Sequence, residues 1–319
     1  MSGYDVFCGW GDETAWSTPV ARTQFARPYA ESRADHIVPQ DPVAYLGLRD
    51  NTEPFTRVEK GEMELHIPAV YDGMGKLLKH CFGAAPADAG VDPYTHIYTL
   101  TDSPFDPIGA LFGLTVELHQ ALPDAALQSM VLYGGRVQSF GMDMRVDEEI
   151  KLDVMLVGAQ VAQLIKTASP TYPDYSAHTI KPIQVTFALD GGADIDINRV
   201  SWEVQNNLRD DKAKLGSKYI KAPLPKGKRV VSGVIEKEWL AKADYDKFLA
   251  GTAAAIAVTC TGPASHSFLV ELDNVRYTGK TPGLVEGDEI LNELPFTAYY
   301  DATKGALRIT EENTTAVGG

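Results

Sequence analysis

Cysteine, long apolar runs and positive charge are all scarce in this 319-residue chain, and each scarcity excludes something. Three cysteines, Cys8, Cys81 and Cys260, with no Cys-x-x-Cys pair among them, cannot build a disulfide framework, so a reduced compartment is expected. No window approaches the roughly 18 consecutive apolar residues of a membrane helix, and residues 1–16 lack a basic region followed by an apolar stretch. The expectation is a soluble chain made in the cytoplasm, with no membrane insertion. Lys and Arg number 29 against 43 Asp and Glu, a formal charge of −14. That balance removes any broad attraction for phosphate backbones or anionic lipid surfaces.

The motifs of catalysis are missing too. The histidines, His36, His66, His80, His96, His119, His178 and His266, form no His-Glu-x-x-His pair and no close cluster with cysteine along the sequence. Asp194-x-Asp196-x-Asn198 opens like a calcium loop. It then sets Arg199 where the sharp turn needs glycine and Gln205 where a bidentate glutamate belongs, so Ile195 and Ile197 read instead as the buried face of a strand. Gly73-Met74-Gly75-Lys76 fails as a phosphate loop at both ends, and no Gly-x-Ser-x-Gly raises a nucleophile. No enzyme, cofactor or metal site is expected.

What the chain has is alternation. Leu114, Val116 and Leu118; Leu152, Val154 and Leu156; Ile183, Val185, Phe187 and Leu189; and Phe268, Val270 and Leu272 repeat every second residue, the period of half-buried antiparallel strands. Tyr133-Gly134-Gly135, Asp190-Gly191-Gly192 and Thr278-Gly279-Lys280 carry the chemistry of tight turns. Helical spacing occurs in two places. Val70, Met74, Leu77, Leu78, Cys81 and Phe82 predict a helix over residues 68–82 that stops at Gly83, and Tyr245, Phe248 and Leu249 predict one over 242–250 that stops at Gly251.

The order of features occurs twice. A strand-like run (residues 55–67 and 228–240) precedes each helix, and a similar hairpin follows, with Val146-Asp147-Glu148-Glu149-Ile150 echoed by Glu286-Gly287-Asp288-Glu289-Ile290. The chain reads as a divergent tandem repeat: an N-terminal arm and first β domain in residues 1–165, a linker in 166–181, and a second β domain in 182–319. The first domain carries an extra loop over about residues 84–124.

Gly11-Asp12-Glu13-Thr14-Ala15-Trp16-Ser17-Thr18-Pro19-Val20 resembles the E-T-x-x-G-T-P-V opening of the major tail tube proteins of long, flexible-tailed (siphovirus-type) bacteriophages, with Ser17 in place of the usual glycine. Similar short motifs follow in the family's order over nearly the whole chain: residues 61–68 and 71–83, His96 to Leu100, Gly113 to Glu117, Tyr133 to Val137, Asp273 to Tyr277, and 292–296. The resemblance implies a mainly β fold of tandem tail-tube-type β-sandwich or barrel domains, each with one flanking α-helix. It implies a structural virion protein whose stacked rings form the hollow channel for DNA ejection. Most members form six-fold rings of one-domain chains, so a fused pair predicts a homotrimer with pseudo-six-fold symmetry. The implied partners are further copies of the chain, a tape measure protein and a tail terminator protein, with DNA passing through the lumen without specific binding and the virion tail as final location.

Two sets of residues are candidates for these roles. Asp143, Asp147, Glu148 and Glu149, with Glu286, Asp288 and Glu289 of the second copy, would face the lumen and repel phosphate. Trp10, Trp16, Phe25, Tyr29, Tyr45 and Phe105, in the arm of residues 9–50 and the extra loop, and the basic Lys221, Lys226, Lys228 and Arg229 would contact neighbouring subunits or rings. A β-sandwich glycan- or receptor-binding module of a phage tail or bacterial surface is the alternative reading, distinguished by ligand binding without polymerisation.

Overall fold

A computed structural model of the chain describes residues 6–41, 55–56, 58–90, 92–100, 113–120, 128–194, 196–238, 243–263, 265–278 and 291–315. In chain order the first half contains β1 (Phe7–Asp12), β2 (Gln24–Ala26), β3 (Arg33–Ile37), β4 (Gln40–Asp41), β5 (Phe55–Thr56), β6 (Lys60–Pro68), α1 (Gly75–Phe82), β7 (Ala87–Ala89), β8 (Tyr94–Thr99), β9 (Leu114–His119), β10 (Gln128–Arg145), β11 (Lys151–Gly158) and β12 (Gln160–Ile165). A short α2 (Tyr175–His178) and a 3-10 turn (Pro182–Gln184) lead into the second half. That half contains β13 (Val185–Leu189), β14 (Gly192–Ala193), β15 (Ile197–Gln205), β16 (Leu208–Arg209), β17 (Leu224–Pro225), β18 (Val230–Glu238), α3 (Ala243–Ala250), β19 (Ala254–Thr261), β20 (Ser267–Tyr277), β21 (Leu291–Ala298) and β22 (Arg308–Asn313). The fold is mainly β and its sheets are antiparallel.

One long strand organises the first half. The N-terminal part of β10 pairs with β9 and β12, its C-terminal part with β11 and β15, so a single strand serves two packed sheets. The passage between them is a bulge: Leu132 faces Val116 and Gly135 faces Leu114, with Gly134 at φ 66°. The sequence reading of Tyr133-Gly134-Gly135 as a reversal is therefore corrected, since the glycines bend a continuous strand. A pair of glycines offers the same backbone freedom to a bulge as to a turn, and only the long-range pairing separates the two. At Asp190 and Gly191, with φ of 51° and 79°, the expected two-residue hairpin between β13 and β14 is present.

Other boundaries also move. Helix α1 begins at Gly75 rather than residue 68, because Val70 forms a bridge with Thr179 and Gly73 sits at φ 100°, which no helix accommodates. Its end at Gly83, with φ 79° and the amide donating to Lys79 O, is as read. Ile183 is 91% exposed and precedes the strand that was to contain it, since Pro182 starts a 3-10 turn there. The extra loop closes by Gly113, because Leu114 already opens β9. Residues 239–242 and 279–290 of the predicted strand, helix and turn lie outside the described residues.

The two halves match in their pairing registers. Lys151 faces Pro68 and Gly158 faces Gly61, as Leu291 faces Glu238 and Ala298 faces Val231. Arg136 faces Val157 as Arg276 faces Thr297. Leu132 faces Val116 and Gly135 faces Leu114, as Leu272 faces Ile256 and Val275 faces Ala254, so the bulge recurs in the second half. Strand for strand, β6, β9, β10, β11 and β12 correspond to β18, β19, β20, β21 and β22. A single apolar cluster joins both halves, from Cys8, Leu65 and Leu152 to Phe268, Phe296 and Ile309.

Candidate assembly surfaces

The two halves share a continuous antiparallel sheet in the order β3-β6-β11-β10-β15-β18-β21-β20. Alternation decides its faces. Met63, Leu65, Leu152, Val154, Phe140, Met142, Trp202, Val204, Ile235 and Phe296 point into the core, while Glu64, Asp153, Asp143, Glu203, Glu236 and Glu293 sit on the opposite, less buried positions. This outer face forms a groove lined by Glu64, His66, Asp153, Ser201, Glu203 and Thr297, among others.

The face is polar and weighted toward carboxylates. Asp143 accepts both prongs of the Arg199 guanidinium at 2.8 and 2.9 Å, so one predicted acidic residue has its charge engaged within the chain. His66 Nδ1 lies 2.5 Å from Asp153, and Arg33 lies 2.8 Å from Glu64. Glu236 stands directly opposite Glu293 in the β18–β21 ladder and directly opposite Arg199 in the β15–β18 ladder, so the Arg199 cation lies beside the like-charged pair. Asp147, Glu148 and Glu149 occupy the exposed turn between β10 and β11, at the rim of the sheet and not on its face. Glu286, Asp288 and Glu289 lie outside the described residues. Glu64, Glu203, Glu236 and Glu293 went unremarked in the sequence, although each occupies a polar position in an alternating run.

The aromatic candidates divide. Trp10 is 1% exposed and its indole N–H donates to Gln24 Oε1 at 2.8 Å, so it packs inside its own domain, as does the buried Phe25. Trp16 lies against Gly134, where a Cβ would come within 2.8 Å of the ring, and beneath the Arg136 guanidinium at 5.7 Å. Burial pushes Arg136 down to about 10. Tyr29 lies under the Lys151 ammonium, 5.3 Å from its ring centre. Tyr45 and Phe105 lie outside the described residues.

The basic stretch belongs to an arm between β15 and β18, tied by the β16–β17 pair, just as β4–β5 ties the arm between β3 and β6. Lys221, Lys226 and Lys228 are exposed on it, whereas Arg229 is half-buried and donates to Asn206 Oδ1 at 2.9 Å. The base of the first arm meets the loop beyond the β16–β17 pair, where the Glu59 amide donates to Lys218 O at 2.9 Å and the Lys218 ammonium lies 2.9 Å from the Glu59 carboxylate. In the extra loop, β8 pairs with β22 and β7 with β8, extending the second half's sheet, so this part of the loop docks within its own chain.

The edges of the shared sheet are the remaining feature. Arg33 faces Glu64 and His36 faces Gly61, as Ser201 faces Val234 and Val204 faces Val231, so β3 is the counterpart of β15. The far edge of β15 is covered by β10, with Ser201 opposite Asp143 and Gln205 opposite Ser139. Among the described residues no strand pairs with the far edge of β3. None of the helices among the described residues is long and apolar enough to cross a membrane. A family model described as phage tail tube protein matches residues 3–298. No curated protein matches the chain.

Proposed function

Because the chain belongs to the phage tail tube protein family, we propose that it is the major tail tube subunit of a siphovirus-type virion and that three copies close into a pseudo-six-fold ring. The observation that carries this reading is the far edge of β3. Its counterpart β15 is paired on both sides, and the strand that covers it comes from the other half of the repeat. A second copy of the chain supplies the equivalent strand to β3, and three such junctions alternate with three internal ones around a closed ring. Rings then stack head to tail into a tube, with arm residues such as Lys221, Lys226 and Lys228 meeting the next ring, while a tape measure protein and a tail terminator set the length.

In this ring the carboxylate face of the shared sheet lines the channel. Glu64, Asp153, Glu203, Glu236 and Glu293 on one face fit a wall that repels phosphate. DNA then passes without specific binding. Electron microscopy of the purified protein over a concentration series tests the assembly: end views of rings built from three 34.7 kDa chains, stacking into hollow tubes, are expected. Six chains per ring would overturn the fused-repeat reading.

A further inference from the structure

Asp72, His178 and His266 are far apart in sequence, and the fold brings them together. His178 Nδ1 lies 2.7 Å and His266 Nε2 lies 3.2 Å from the same oxygen, Oδ2 of Asp72. The two imidazoles stack with ring centres 4.6 Å apart, and one ligating atom from each of the three residues lies within 4.8 Å of the others. Thr315 Oγ1 approaches the other carboxylate oxygen at 3.4 Å. We propose that these three side chains form a binding site for a divalent transition metal of the zinc class.

Four observations support the assignment. First, His266 Nδ1 lies 3.0 Å from Pro263 O. A carbonyl only accepts, so Nδ1 is the donor there and Nε2 is the ring nitrogen turned toward the Asp72 carboxylate. Second, an imidazole whose far nitrogen donates to a backbone carbonyl is the usual outer support of a metal-binding histidine. Third, bonds of about 2.0–2.1 Å in a tetrahedral site put neighbouring ligand atoms about 3.3 Å apart, which the 3.2 Å from His266 Nε2 to Asp72 Oδ2 matches and the 2.7 Å from His178 Nδ1 reaches with a side-chain shift of about 0.6 Å. Fourth, side-chain exposures of 14%, 25% and 6% for Asp72, His178 and His266 leave the cluster shielded yet reachable from solvent. Two imidazoles with one carboxylate suit zinc, nickel or copper and disfavour calcium and magnesium.

Each ligand is fixed through its own backbone. The Tyr71 amide beside Asp72 donates to His178 O at 2.9 Å, and Gly262 donates to His266 O at 2.8 Å across the β19–β20 turn. Asn313 Nδ2 donates to Tyr71 O at 3.3 Å. Asp72 belongs to the first half, His178 to the connecting segment and His266 to the second half. A metal here therefore staples the two repeats together, independently of whether the chain assembles.

Calorimetric titration of tag-free protein with zinc chloride tests the site. One zinc per chain is expected, with a raised Tm, little response to magnesium or calcium, and a loss of more than about tenfold in affinity for Asp72→Asn and His178→Gln. Folded wild-type protein that takes up no zinc at about 1 mM overturns the proposal, as do folded variants that bind like wild type. Should both variants fail to fold, zinc-edge X-ray absorption of the wild type decides: two imidazole scatterers with oxygen support the site, and an all-oxygen shell overturns it.

Discussion

Glu13 Oε1 accepts the backbone amide of Gly134 at 2.8 Å, pinning the bulge at which β10 leaves one sheet for the other. The same oxygen accepts from Thr115 Oγ1 at 3.0 Å, and Thr115 in turn accepts the Val20 amide at 3.1 Å. The first and last residues of the Glu13 to Val20 motif thus converge on one buried network. Glu13→Ala leaves two buried donors without their acceptor and is expected to cost about 2–3 kcal/mol, whereas Glu13→Gln keeps an acceptor and costs less. Urea unfolding measures both, and an alanine variant within about 0.5 kcal/mol of wild type would refute the role.

Ser17 lies in the same motif at φ 56°, in the left-handed region that a side chain disfavours. The glycine usual at this position in similar sequences is explained by that angle. Ser17→Gly is expected to stabilise the chain by about 1 kcal/mol or less, the relief of strain being offset in part by the greater freedom of glycine in the unfolded state. Thermal unfolding reads the sign. A lowered Tm would mean that the serine hydroxyl has a role that the backbone does not reveal.

The strands of this protein were legible because a half-buried strand writes its burial into every second residue, as at Leu152, Val154 and Leu156. The shared order of strands and helix in the two halves was legible too. What the sequence withheld were features decided by partners far along the chain. Gly134 and Gly135 bend a strand because β9, β11 and β12 claim its two ends. Glu13 carries no sign of burial, since an acidic residue beside turn-forming neighbours reads as solvated until Gly134 is placed beside it. Asp72, His178 and His266 have no spacing to detect, because each comes from a different part of the chain. The acidic turn of Asp147 to Glu149 was conspicuous as a charge run, while single carboxylates such as Glu203 were hidden in alternation.

Glu311 gives the fold a pH dependence. Its carboxyl is 1% exposed on β22 opposite His96, and burial pushes it up to about 8 from an ordinary value of 4.5. The folded state therefore keeps a proton that the unfolded state releases, so stability falls as pH rises from about 4.5 toward about 8. Glu311→Gln removes this dependence, and its Tm advantage over wild type is expected to be larger at about pH 8 than at about pH 5. Parallel Tm curves for the two proteins would show that Glu311 ionises alike in both states.

The channel assignment predicts a selective defect. Glu203→Lys with Glu293→Lys reverses two charges on the sheet face, and the second change sets a lysine opposite Glu236, so folding and assembly are expected to survive. Phosphate would then meet attraction along the wall, and genome ejection from virions carrying the double variant is expected to slow, most at low salt. Normal ejection kinetics from intact variant tails would move the lumen to another face of the molecule.

The far edge of β3 makes the sharpest prediction about assembly. Along a strand, successive amides point to opposite sides, so of Ala34 and Asp35 one presents its N–H to β6 and the other presents it outward. Proline at the outward position removes a donor that this chain does not use in β6 pairing, a substitution that edge strands tolerate. At least one of Ala34→Pro and Asp35→Pro is therefore expected to fold as wild type by circular dichroism and yet remain monomeric when wild type forms rings. The matching change on β15 behaves differently, because both edges of that strand are paired: Glu203→Pro, the counterpart of Asp35→Pro, is expected to destabilise the monomer itself by about 3 kcal/mol, and Trp202→Pro, the counterpart of Ala34→Pro, by more because it also removes a buried indole. Rings formed normally by both β3 variants would show that this edge is not the junction between subunits.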